Sequence, residues 1–244
     1  MKLYRLIAPV AMAAAAMVAT PASAALVVNS DGSITITGSS GGTGTINFDG
    51  NSDGSTVPGM TSELTLTFVQ AVAGTYTFDY TLENTSTSPT TAARITAFTM
   101  DTDPNIVANG AAIISGSVFD EIRLNRNFPN GVGNVEVCFT TGNCTGGGSA
   151  GDGVQIGGST NGRFTLDFGD ANLGTLTLAN LHVRYQGITA PGISGGSGTG
   201  SYVPPPPPAV PEPGTWAMML VGFGAIGFSM RSSRRRRGLL AQAA

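Results

Sequence analysis

In a series of short segments between Ile34 and Tyr185, apolar side chains recur at every second position with mostly polar residues between them. Ile34 and Ile36 alternate with Ser33, Thr35 and Thr37. Leu64, Leu66 and Phe68 alternate with Thr65 and Thr67, and Tyr76, Phe78, Tyr80 and Leu82 with Thr77, Asp79 and Thr81. The pattern returns at Val135, Val137 and Phe139, at Phe164, Leu166 and Phe168, at Leu176 and Leu178, and at Leu181, Val183 and Tyr185. A period of two places successive side chains on opposite faces, so these segments read as half-buried strands. Clusters of Gly, Asn, Asp and Ser separate them as turns. The pattern predicts an all-β fold, an antiparallel β-sandwich of about eight to ten strands spanning residues 25–186. Ser39–Thr45 and Thr85–Thr91 read as loops. The Gly/Ser- and Pro-rich stretch 187–209 reads as a flexible linker.

Charge is scarce and segregated. Only 11% of residues are charged, against about 25% in an ordinary soluble domain. Lys2 is the single lysine. This excludes a basic nucleic-acid binder, a coiled coil and a charge-rich helical protein. The formal net charge of −3 hides two basic ends around an acidic body. Ala25–Val210 holds five arginines and fourteen carboxylates, a balance of −9.

The N-terminal end, 1–24, reads as a secretory signal peptide. Lys2 and Arg5 supply the positive start, and Leu6–Ala19 is uncharged. Pro21 then breaks the segment, and the small residues Ala22 and Ala24 suit a peptidase pocket. Cleavage is expected after Ala24. At the other end, prolines 204–208 precede Val210-Pro211-Glu212-Pro213-Gly214. Trp216–Met230 follows without a charge, then Arg231 and Arg234, Arg235, Arg236 and Arg237. This arrangement predicts a single transmembrane helix at about 215–230 with an arginine stop, followed by a tail at 238–244. Such a helix would rise about 22 Å, short of a roughly 30 Å hydrocarbon core.

The ordered series of motif, apolar run and arginine cluster over 210–237 resembles the PEP-CTERM sorting signal. Its Trp216-Ala217-Met218-Met219 continuation is similar to the PEPxxWA variant. The resemblance implies recognition by an exosortase-type processing enzyme, with Pro211, Glu212, Pro213 and Trp216 as the sorting motif. It implies export through the inner membrane of a Gram-negative bacterium, a precursor held transiently in that membrane, then a cell-surface or extracellular location. It implies association with exopolysaccharide. A stiff proline run, extending about 3.1 Å per residue, would hold the motif clear of the body.

Cys138 and Cys144 are the only cysteines, and export predicts a disulfide between them. Gly142-Asn143 supplies turn residues, so the pair is expected at the end of a hairpin begun by Val135–Phe139. This loop, with Val183-Arg184-Tyr185-Gln186, resembles one body type of PEPxxWA-tailed proteins, the cistern family.

Asp49, Asn51 and Asp53 match the opening of an EF-hand loop and are candidates for calcium, the one cofactor the sequence raises. Met60 stands where a bidentate Glu is needed, and turn formation by Asp, Asn and Gly competes with that reading. Asp101-Thr-Asp103-Pro-Asn105 is spaced similarly. Catalytic groups are hard to assemble. His182 is the only histidine, and no Gly-x-Ser-x-Gly elbow surrounds a serine of the body. Asp120-Glu121 and Asp101/Asp103 are the carboxylate pairs available, and neighbours on a strand point apart. Trp is absent from the body, so sugar stacking would fall to Tyr76, Tyr80 or Tyr185, whose alternation favours the core. Thr65/Thr67 and Thr175/Thr177 would need one flat Thr array to bind ice. Asn84-Thr85-Ser86 matches a glycosylation sequon. The expectation is a non-enzymatic exported protein, with a carbohydrate- or calcium-binding adhesion module and a secreted hydrolase as alternatives.

Overall fold

The computed structural model describes residues 26–116, 118–145, 152–171, 173–204 and 218–226. The chain divides into two compact units, Met1–Pro204 and Pro205–Ala244. In the first unit the strands are β1 (Leu26–Val28), β2 (Ile34–Thr37), β3 (Thr43–Ser52), β4 (Ser55–Val72), β5 (Thr75–Glu83), β6 (Ala92–Asp103) and β7 (Ala111–Gly116). They continue with β8 (Glu121–Phe128), β9 (Gly133–Thr140), β10 (Val154–Gln155), β11 (Ser159–Asp167), β12 (Thr175–Ala190) and β13 (Ile193–Tyr202).

All pairings in the described sheet are antiparallel, and the order is β7-β11-β5-β4-β3-β13-β12-β6-β9-β8, with β1, β2 and β10 as side branches. The all-β expectation holds. The two-sheet sandwich is corrected to one continuous thirteen-stranded sheet that curls into a nearly closed barrel. Its two end strands, β7 and β8, are consecutive in the chain. Alternation reveals which face is inward. It does not reveal whether the inward faces belong to two sheets or to one that curls. Long strands with bulges allow the curling: β4 slips register between Phe68 and Gln70, and β12 slips three times against β6.

The hairpin turns follow from local chemistry. Ala73-Gly74 joins β4 to β5, and Asp53-Gly54 joins β3 to β4, each with both φ angles positive. That geometry matches the right-handed twist of the strands it connects. Pro191-Gly192 turns β12 into β13.

The inward faces meet in an aromatic core. Phe98 of β6 stacks on Phe139 of β9 at 4.6 Å, and Phe139 meets Phe164 of β11 at 4.6 Å. β9 and β11 lie near opposite ends of the strand order, so the latter contact crosses the barrel interior. Tyr76, Tyr80 and Tyr185 are buried there. Burial raises the Tyr80 phenol to about 12 and the Tyr185 phenol further, the latter donating to Ser62 Oγ at 2.8 Å.

The linker expectation for 187–209 is also corrected. Residues 187–202 complete β12 and form β13, which lies between β12 and β3. The β domain therefore extends past residue 186. Glycine here marks close packing. A Cβ at Gly198 would lie 2.4 Å from the Asn51 carbonyl oxygen, and one at Gly200 would lie 2.5 Å from Val183 Cγ2. The expected loop at Ser39–Thr45 is shorter, because β3 begins at Thr43.

In the second unit, residues 218–226 form one helix, α1, with every residue exposed. Among the described residues no helix is long and apolar enough to cross a membrane. The signal segment with Ala22 and Ala24, the motif residues Pro211, Glu212, Pro213 and Trp216, and Arg231, Arg234, Arg235, Arg236 and Arg237 lie outside the described residues.

Candidate functional site

The disulfide forms: Cys138 and Cys144 are bonded, with Cα atoms 6.4 Å apart. Its position differs from a hairpin end. Cys138 lies within β9, and the segment after it folds back over the outer side of β6, β9 and β12. Thr141 N donates to Thr96 O at 3.1 Å. Arg184 of β12, 4% exposed, donates from Nη1 to the carbonyls of Asn143 at 3.2 Å and Cys144 at 3.4 Å. Beneath the loop, Cys138, Cys144, Ala97, Phe128 and Val135 make a second small core. This cover explains why residues 95–100 of β6 are buried without alternation.

Facing that loop is the exposed strand β8. The two enclose an open polar cleft of about 470 Å³. Arg123, Asn125, Arg126 and Asn127 line one wall, with Asn143 and Thr145 on the other. Asn125 adopts φ +51°, which breaks the strand's alternation, and residues 125–127 are exposed in succession. Asn tolerates this left-handed conformation better than bulkier residues do. Arg123 forms an ion pair with Glu121, while Nη2 also reaches Gly142 O at 3.5 Å. On the loop, Asn143 Oδ1 accepts from Thr145 N and Oγ1, both at 3.0 Å. Sequence reasoning missed this cleft. The Pro129-Asn130-Gly131 turn, between Ile122/Leu124 and Val135/Val137, is the signal that pairs β8 with β9.

The residues singled out from the sequence fall elsewhere. Asp49 and Asn51 lie on β3, and Asp53 forms the β3–β4 turn, where Asn51 Oδ1 accepts from Gly54 N at 3.1 Å. Among the described residues no group of three or more His, Cys, Asp or Glu is placed to hold a metal. Asp101 accepts from Glu136 N at 2.7 Å and from Asn180 Nδ2 at 2.9 Å. Glu136 in turn accepts from the backbone amides of Thr102 and Ile106, each at 2.9 Å. His182 donates from Nδ1 to Gly200 O at 3.1 Å, and its Nε2 lies 3.1 Å from Asn180 Oδ1. Burial holds its pKa below the usual value of 6.5, although the Gly200 hydrogen bond and the Asp101 charge pull the other way.

The sequon residue Asn84 is buried and clamps Ala93 O and Val154 O. The Thr43–Thr67 and Thr45–Thr65 pairs make hydroxyl contacts, but beside them Arg163 grips Asp79 at 2.6 and 2.8 Å and interrupts the array. No exposed aromatic lies on the described part of the first unit, so a stacking platform for neutral sugars is not among those residues.

The PEP-CTERM protein-sorting motif matches residues 209–236. The chain thus carries this sorting signal, which indicates export and a membrane-anchored sorting step and implies processing by an exosortase-type enzyme. No curated protein and no solved structure matches the chain.

Proposed function

We propose that this is a non-enzymatic cell-surface or extracellular-matrix protein of a Gram-negative bacterium, processed at its C-terminal segment and associated with exopolysaccharide. One observation carries the reading: the sorting match takes in motif, apolar run and arginine cluster together. The helix α1 supports it. Met218, Phe223 and Ile226 are 74%, 66% and 59% exposed, and a helix apolar all round belongs in lipid or a protein core. The apolar run would hold the precursor in the inner membrane, with the arginines on the cytoplasmic side. Cutting near Pro211-Glu212-Pro213 would free the β unit from that anchor. A non-enzymatic role is supported by how the polar groups are engaged: Asp101 and Glu136 accept backbone amides, and His182 donates to a backbone carbonyl.

The test is fractionation of host cells expressing the wild-type chain or a variant with Pro211, Glu212 and Pro213 all replaced by Ala. The variant should remain in the inner membrane while the wild type reaches the surface or medium. Identical distributions would refute motif-directed sorting.

A further inference from the structure

We infer that the cleft between β8 and the Cys138–Cys144 loop is a binding site for a carboxylated saccharide, a short uronic-acid segment of a polysaccharide. The inference names a ligand class for the extracellular role proposed above and rests on that role only for its setting.

The body carries five arginines against fourteen carboxylates. Arg163 is committed to Asp79, and Arg184 lies buried under the loop. Arg123 and Arg126 both line this cleft. Arg123 is braced by Glu121 and by Gly142 O. The Arg126 side chain is exposed and makes no hydrogen bond or ion pair among the described residues, its backbone pairing with Val135 of β9. A guanidinium presents paired donors that match a carboxylate in a two-point contact.

The remaining lining fixes the kind of anion. Asn125, Asn127, Asn143 and Thr145 offer amides and a hydroxyl, which both donate and accept. That set suits sugar hydroxyls flanking a carboxylate. Among the described residues the cleft has no aromatic lining, so recognition there rests on polar contacts rather than ring stacking. The walls are fixed in advance. The loop is held by the disulfide and by two hydrogen bonds from Arg184, and β8 pairs with β9 at every position but Asn125. Pre-formed walls lower the ordering cost of binding. The net −9 of the body opposes a long uniform polyanion, so the ligand is a short acidic segment.

The test is calorimetric titration of the purified full chain, in detergent, with trigalacturonate, its fully methyl-esterified form and tripolyphosphate. The free acid should bind and the ester should bind at least about tenfold more weakly, the loss of one charge-assisted contact. Arg126→Gln should lower affinity for the acid by a similar factor without changing the melting temperature, and Asn143→Ala should weaken it too. Equal affinity for acid and ester, no binding of the acid by the wild type, or tripolyphosphate binding as tightly as the acid would each overturn the assignment. All these readouts are independent of sorting, so failure here leaves the processing proposal standing, and failure of processing leaves this one.

Discussion

The buried Arg184 guanidinium donates through Nη1 to the carbonyl of Cys144 at 3.4 Å, so a β12 side chain holds the far end of a disulfide loop that springs from β9. Two restraints of different chemistry converge on one short segment. Arg184→Met keeps most of the side-chain length and removes the donors. It should cost about 1–3 kcal/mol, because it leaves the buried Cys144 carbonyl unpaired. The loss would be read by thermal melting, at about 2–4 °C per kcal/mol for a domain of this size.

Loss of the disulfide, through Cys138→Ala with Cys144→Ala, should cost about 2 kcal/mol on the chain-entropy model for so short a loop. Combined with Arg184→Met, the losses should fall short of additive, because each change frees a loop that the other already frees. Strict additivity would show that the two restraints act on separate structure.

Gly198→Ala separates a packed strand from a linker at residues 187–202. The added Cβ would meet the Asn51 carbonyl oxygen at 2.4 Å. Overpacking of that kind costs about 1–3 kcal/mol, so the melting temperature should drop. Gly192, at the turn with open space around its Cβ position, needs its left-handed φ of +80° but meets no atoms. An unchanged melting temperature for Gly198→Ala would place β13 outside the sheet.

The contrast between Gly198 and Leu178 explains how much of the fold was legible. Leu176, Leu178, Leu181, Val183 and Tyr185 announce an inward face because each carries a side chain that must leave water. In β13 the packed positions are Gly198 and Gly200, where the neighbouring backbone and side chains take the space a side chain would fill. Hydrophobic periodicity has nothing to register there. The same holds for residues 95–100 of β6, where cover on both faces erases alternation. The disulfide was legible from cysteine number and compartment. The cleft was not, because it depends on the β8–β9 register and on a loop lying over β12, relationships between residues far apart in the chain.

His182 provides a pH test. Its folded pKa lies below the unfolded value of 6.5, with burial the leading cause. The unfolded state therefore binds more protons between the folded pKa and 6.5. The stability contributed by the neutral ring is complete above 6.5 and falls as pH drops through that window. His182→Gln should flatten the fall of the melting temperature as pH drops below 6.5. A profile with the same slope in the variant would assign the dependence to other groups.

On the function proposed above, the chain works as an exported body separated from its C-terminal anchor. Intact-mass analysis of the protein recovered from its host surface or medium tests this most directly. The expected species begins at Ala25 and ends near Pro211-Glu212-Pro213, without Arg234–Arg237. Recovery of a mature surface protein that still extends through Ala244 would contradict the claim.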